Sequence, residues 1–98
     1  MTVMVVVEFS ITPVIGENLR PFIDAAISEV KNSGLKYEVD AMSTTIEGSL
    51  DQVLGVVKKA HEAVKAAGAD RVLTEIRIDD RSSGITIAEE LEGYRASV

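Results

Sequence analysis

Two short stretches carry most of the side chains able to hold something polar. In the first, Glu8, Ser10 and Thr12 recur at every second position; in the second, Ser43, Thr44, Thr45 and Glu47 stand close together. Alternation by two puts Glu8, Ser10 and Thr12 on one face of an extended strand, because successive side chains of a strand point to opposite sides. Ionised carboxylates accept hydrogen bonds and attract cations, while hydroxyls both donate and accept, so Glu8, Ser10, Thr45 and Glu47 together suit a polar heterocycle. For an isolated carboxylate on such a face, a solvated sheet surface is the commoner role.

The other chemistry-bearing residues point away from catalysis. His61 is the only histidine and cysteine is absent, which leaves no His-rich metal site, no thiolate site and no Cys-His nucleophile. His61 falls in the apolar stripe of a helix, where a packed histidine with one hydrogen bond is expected. Asp79-Asp80 lacks the oxygen count and spacing of a calcium loop and reads as a turn. Glu89-Glu90 reads as a helix surface, with nothing to shift either pair toward acid-base work. Arg81, near Gly84 and a helix start, is placed where an anion could sit; no ligand role is assigned to it. The glycines are scattered and write neither a phosphate loop nor a dinucleotide fingerprint. No catalytic residue, metal or cofactor is therefore expected, and the chain is not read as an enzyme.

The elements that must position these residues follow from periodicity. Val3 to Thr12 is rich in β-branched and aromatic residues and Pro13 follows, which predicts a first strand. Between Asn18 and Lys31, apolar residues fall at helical spacing, with Pro21 in the first turn and Gly34 just past the end. Lys36 to Glu47 is long enough for two short strands reversing near Met42 to Thr44. Ser49 and Gln52 form a capping box that opens a second helix with the stripe Leu50, Val53, Leu54, Val57, His61 and Val64, closed by Gly68. Arg71 to Ile78 is the fourth strand. Thr86 and Glu89 form another capping box ahead of a short helix ending near Tyr94.

The order predicts an α+β, ferredoxin-like βαββαβ antiparallel sheet with two helices on one face plus a short C-terminal helix, one domain over residues 1–98. Val5, Val7, Phe9 and Ile11, joined by Tyr37, Val39 and Ala41 and by Val72, Thr74, Ile76 and Ile78, are expected to meet the helices. The opposite face carries Met4, Val6, Met42 and Leu73 among the carboxylates and hydroxyls. That apolar area predicts cover by a second copy, with a pocket between two such faces. Glu8 and Glu47 are expected to approach each other across the ladder.

Composition sets the class of partner. The apolar fraction is 46%, the charged fraction 27% and the net charge −6, which predicts a folded protein that repels phosphate backbones and favours a cationic small ligand over nucleic acid. No apolar run reaches the roughly 20 residues that cross a bilayer. The start of the chain lacks the basic region and cleavage site of a signal peptide, and the missing cysteines suit a reducing compartment, so a cytoplasmic location is expected.

Six segments carry a family likeness: Lys36-Tyr37-Glu38-Val39, Ser43-Thr44-Thr45-Ile46-Glu47-Gly48, Lys59-Ala60-His61-Glu62-Ala63-Val64, Ile78-Asp79-Asp80-Arg81, Gly84-Ile85-Thr86-Ile87 and Tyr94-Arg95. Their order and spacing resemble the thiamine-binding, YkoF-like family over nearly the whole chain. The resemblance implies a ferredoxin-like domain that binds thiamine or its hydroxymethylpyrimidine half, in dimers or tetramers, without known catalysis. Such a ligand pairs a cationic thiazolium with an aminopyrimidine, for which Glu8, Ser10, Thr12, Ser43, Thr44, Thr45 and Glu47 are the expected binding residues. There is no tryptophan, and Phe9, Phe22, Tyr37 and Tyr94 mostly read as core, so methionine or aliphatic side chains would have to hold the ring. The alternative is a structural or regulatory homo-oligomer with no small ligand.

Overall fold

The computed structural model describes residues 3–94. In chain order the elements are β1 (Val5–Pro13), α1 (Arg20–Asn32), β2 (Tyr37–Val39), β3 (Thr44–Gly48), α2 (Leu50–Ala66), β4 (Val72–Asp79) and α3 (Ile87–Glu90). The sheet order is β2-β3-β1-β4, and every neighbouring pair is antiparallel. This is the ferredoxin-like α+β arrangement read from the sequence, with β1 in the centre. Arg95, in the last family segment, lies outside the described residues.

Local chemistry accounts for the element boundaries. The first strand begins at Val5, later than its composition implied, because Met4 bonds elsewhere: its carbonyl accepts from the Ile85 N–H at 3.0 Å. It runs on through Pro13, which pairs with Val72. A proline is accommodated there because β3 accompanies β1 only as far as Phe9, so the last residues of β1 have a single neighbour. The reversal between β2 and β3 occupies residues 40–43, earlier than expected, and is closed by Asp40 N–H donating to the Ser43 carbonyl at 2.9 Å. Ser49 and Gln52 form the expected reciprocal cap of α2, and Gly68, with φ of +117°, follows its end.

The helices bury Val5, Val7 and Phe9 of β1 and Ile46 of β3 against Val30, Val53, Val57, Ala60 and Val64. Two parts of the expected core differ. Val39, Ile76 and Ile78 are each 42–49% exposed, because they lie on the outer strands β2 and β4, and Ala41 is exposed in the turn. The buried stripe of α2 is also rotated, with Val56 and Ala60 inside while Leu50 and Leu54 sit at its flank.

The opposite face of the sheet is covered in part by the chain's own end. After β4 the backbone turns at residues 81–84, where Gly84 adopts φ of +87° and donates to the Arg81 carbonyl at 2.7 Å. Ile85 and Ile87 then pack on Val6, with Leu91 alongside, as a second apolar cluster. Val6, expected to await a partner, is thus only 6% exposed within one chain. The helix ends at Glu90, short of Tyr94, and its last turn is finished by the Leu91 and Tyr94 turn bonds. Among the described residues no helix is long and apolar enough to cross a membrane.

Ile46 is fully buried between β1, β2 and the helices. Ile46→Ala should cost about 2–5 kcal/mol in urea denaturation through lost transfer energy and the cavity left behind. A loss below about 1 kcal/mol would contradict this packing.

Candidate functional site

The open face of the sheet and α3 border an open-sided cavity of about 420 Å³, within the usual 300–1,000 Å³ range of small-molecule sites. Val6 and Glu8 of β1, Thr45 of β3 and Arg77 of β4 line its sheet side. Glu38 of β2, opposite Thr45, continues the sheet side; Ile87, Glu90 and Leu91 come from the last helix and its end, and Asp40, Ile78 and Asp79 complete the lining. Strand alternation explains the sheet side: Glu8 pairs with Thr45 on one flank and Arg77 on the other, so all three point the same way.

Glu8 is held rather than free. Its Oε2 accepts from the Ser43 hydroxyl at 3.1 Å, and its Oε1 lies 3.7 Å from the Arg77 guanidinium. Since Arg77 is largely exposed, the ion pair is weak, and the Ser43 bond sets the orientation. Five carboxylates, of Glu8, Glu38, Asp40, Asp79 and Glu90, face one guanidinium in the lining. They surround the cavity rather than converge on a point: among the described residues there is no group of three or more His, Cys, Asp or Glu side chains able to hold a metal ion. Val6, Ile87 and Leu91 supply apolar surface between the charges.

Two neighbouring glutamates titrate in opposite directions. Glu90 is held above the ordinary carboxylate value by desolvation and then by hydrogen bonding and like charge from Asp79, with Arg81 opposing. Glu89 is held below it, chiefly by the Arg81 guanidinium, whose Nη2 donates to Oε2 at 2.8 Å, and by the Thr86 hydroxyl. Asp79 therefore ends β4 and faces α3, and its pairing with Glu90 replaces the inert turn and helix-surface roles read for these residues. Arg81 also donates from Nε to the Gly84 carbonyl at 2.8 Å, so its guanidinium braces this turn.

Three of the seven expected binding residues meet at the cavity: Glu8 and Thr45 line it, and Ser43 bonds to Glu8. Ser10 and Thr12 lie farther along the same face and, with Ser43 and Thr44, border a second hollow of about 170 Å³. Thr44 pairs with Phe9 and is buried on the helix side. Glu47 pairs with Val6, not Glu8, and its Oε1 accepts from the Ile87 N–H at 3.0 Å. The expected approach of Glu8 and Glu47 across the ladder is therefore replaced by separate engagements. Glu90, Ile87 and Leu91 were missed as cavity residues. The available signal was the Thr86 cap and the apolar pair Ile85 and Ile87, which mark a helix start with a face to bury. His61 takes its expected packed position, with Nδ1 2.6 Å from the Thr74 hydroxyl.

The chain is thus a ferredoxin-like α+β domain with an acidic cavity beside its last helix. The sequence pattern of the family described as thiamine-binding protein matches residues 7–95, and the chain belongs to that family. It is 45% identical over 86 residues to a UPF0045 protein of Mycobacterium bovis, covering 86% of this chain and 82% of the relative. A UPF0045 protein of Clostridium perfringens is 38% identical over 77 residues, covering 79% and 81%. Among solved structures, the fold matches a domain of unknown function, DUF77, from Bacillus cereus with a TM-score of 0.92 and 43% identity, covering 98% of this chain and 94% of that one. It also matches a Thermotoga maritima protein described as a candidate for thiamine biosynthesis or salvage, with a TM-score of 0.87 and 31% identity, covering 94% and 99%.

The opposed shifts have a direct readout. In an NMR titration of side-chain carboxyls, Glu90 should titrate above and Glu89 below the ordinary glutamate value, and Arg81→Gln should raise Glu89. The depressed Glu89 favours the fold above its unfolded pKa, and that contribution fades as pH falls through its folded value. The raised Glu90 has the reverse sign, disfavouring the fold while ionised and relieved on protonation. Coincident titration of the two would contradict the arrangement.

Proposed function

We propose that the protein binds thiamine or its hydroxymethylpyrimidine half, without catalysing a reaction, in the cavity between the open sheet face and α3. The observation that supports this most is the lining: carboxylates around an apolar middle, on a chain of the thiamine-binding family. A thiazolium is cationic and an aminopyrimidine donates from its amino group, so Glu8 and the surrounding carboxylates match both ends of the ligand. Val6, Ile87 and Leu91 would flank the rings in place of aromatic side chains. Ser10, Thr12 and Thr44 border the neighbouring hollow instead and are not part of this proposed contact set.

Self-association belongs to the same proposal. β4 is an outer strand of eight residues, and it carries exposed Leu73, Ile76 and Ile78. An edge of this length with apolar side chains is a ready pairing surface for a second copy. The cysteine-free sequence suits a reducing cytoplasm as the setting. A structural oligomer without a ligand is the competing reading, and the exposed β4 edge is the observation that favours it.

Calorimetry with thiamine and hydroxymethylpyrimidine tests the ligand. Heat of binding is expected at or below about a millimolar, and no heat from either would refute the reading. Glu8→Gln should weaken thiamine by about 1.5–3 kcal/mol, the range for a hydrogen bond to a charged group; unchanged affinity would remove Glu8 from the site. Thiamine monophosphate should bind about tenfold more weakly than thiamine, because its phosphate meets the acidic lining, and equal affinity would contradict that electrostatic account. Light scattering should give a dimer or tetramer, whereas a monomer of 10.5 kDa would leave β4 as a plain edge.

A further inference from the structure

We infer that Glu47 is a positioning residue for the cavity: its buried carboxylate fixes the backbone of α3 and so sets where the ligand-facing wall stands. The inference rests on the proposed cavity but concerns a different act from ligand contact. Glu47 is 9% exposed, and Ile87, whose N–H donates to its Oε1 at 3.0 Å, is 2% exposed. Neither group has water to fall back on, so the bond is the satisfied state of both.

The geometry makes this bond the tie at the helix itself, two residues beyond the Ile85 N–H bond to the Met4 carbonyl that anchors the preceding turn. Glu47 occupies β3 opposite Val6, and its own N–H donates to the Lys36 carbonyl at 3.1 Å, so its backbone is fixed in the sheet. Ile87 is the first residue of α3, where the amide has no partner within the helix. The carboxylate satisfies that amide from outside, while the Thr86 hydroxyl caps the amide of the third helical residue, accepting from Glu89 N–H at 3.2 Å. A four-residue helix has too few internal bonds to hold its own place. Its two cavity-lining apolar residues, Ile87 and Leu91, are therefore positioned by what grips its first turn. A carboxylate at that end also matches the sign of the exposed amides.

The consequence is a specific pattern of substitution effects. Glu47→Gln keeps an oxygen acceptor at the same reach, so α3 should stay docked. Glu47→Leu removes the acceptor while keeping an apolar stem against Val6, so the wall should loosen. Hydrogen exchange at the Ile87 amide reads the tie itself: exchange should be about tenfold faster in Glu47→Leu and near that of the parent in Glu47→Gln. Thiamine affinity reads the consequence, falling about tenfold in Glu47→Leu and by no more than about threefold in Glu47→Gln.

Should Glu47→Leu not fold, Ile87→Pro removes the donor from the other side. Proline is tolerated at the first helical position, and Thr86 already has the extended backbone that precedes one. Compared with Ile87→Ala, which loses side-chain contact but keeps the N–H, Ile87→Pro should bind thiamine more weakly. Glu47→Gln as damaging to binding as Glu47→Leu, with Ile87 exchange unchanged, would overturn the inference and make Glu47 a ligand contact. Unchanged exchange and affinity in Glu47→Leu would overturn it as well. If the parent binds no thiamine, the ligand reading fails, and the exchange comparison still decides whether Glu47 holds α3.

Discussion

The docking of residues 84–91 on the open face of the sheet is the contact on which the site depends. Without it Val6 would be exposed, Glu47 would be a solvated carboxylate on β3, and the acidic face would be a flat surface. With it, Val6, Ile85, Ile87 and Leu91 form an apolar cluster, and the Glu47 carboxylate meets a buried amide that the short helix cannot satisfy itself. Burial of these four apolar side chains supplies the attraction, at roughly 25 cal/mol per Å² of apolar area removed from water. The hydrogen bonds of Ile85 to Met4 and of Ile87 to Glu47 supply the register. Apolar contact alone would let the segment slide; two directional bonds from different strand ends locate it.

The charge arrangement around this docked segment explains why a cavity, rather than a filled core, persists there. Carboxylates from β1, β2, the following turn, β4 and α3 repel one another, and each keeps contact with water, so none can be packed away cheaply. Arg77 relieves Glu8 only through a long, exposed ion pair. Glu90 records the remaining strain by holding its proton more tightly, first through desolvation and then through Asp79. A cation entering between them would be favoured by every one of these groups. Arg81 is kept out of that role because it is bound to the Gly84 carbonyl and to Glu89.

The β-branched runs, the Ser49-Gln52 box and the glycines after α1 and α2 made the ferredoxin-like order legible, since each acts through neighbours within a turn or two. Alternation likewise placed Glu8 and Thr45 on the open face, because period two needs no knowledge of the partner strand. What could not be read was set by contacts distant in sequence. The outer position of β4 exposes Ile76 and Ile78 despite their apolar type, and that depends on strand order and on how far two helices reach. Glu47 lies on the expected face, yet the residue it serves is forty positions away. Glu90 and Leu91 carried no distinguishing pattern of their own; their role comes from the segment folding back over β1, which the apolar pair Ile85 and Ile87 foreshadowed only weakly.

If the acidic cavity beside α3 takes a cationic ligand, amide shifts mapped by NMR during a thiamine titration will locate it there. Saturable shifts are expected on Val6, Glu8, Thr45, Arg77 and the amides from Ile87 to Leu91, with the outer faces of α1 and α2 unmoved. Shifts centred instead on the hollow beside Met42 and Ile23, or on the surface of the helices, would contradict it.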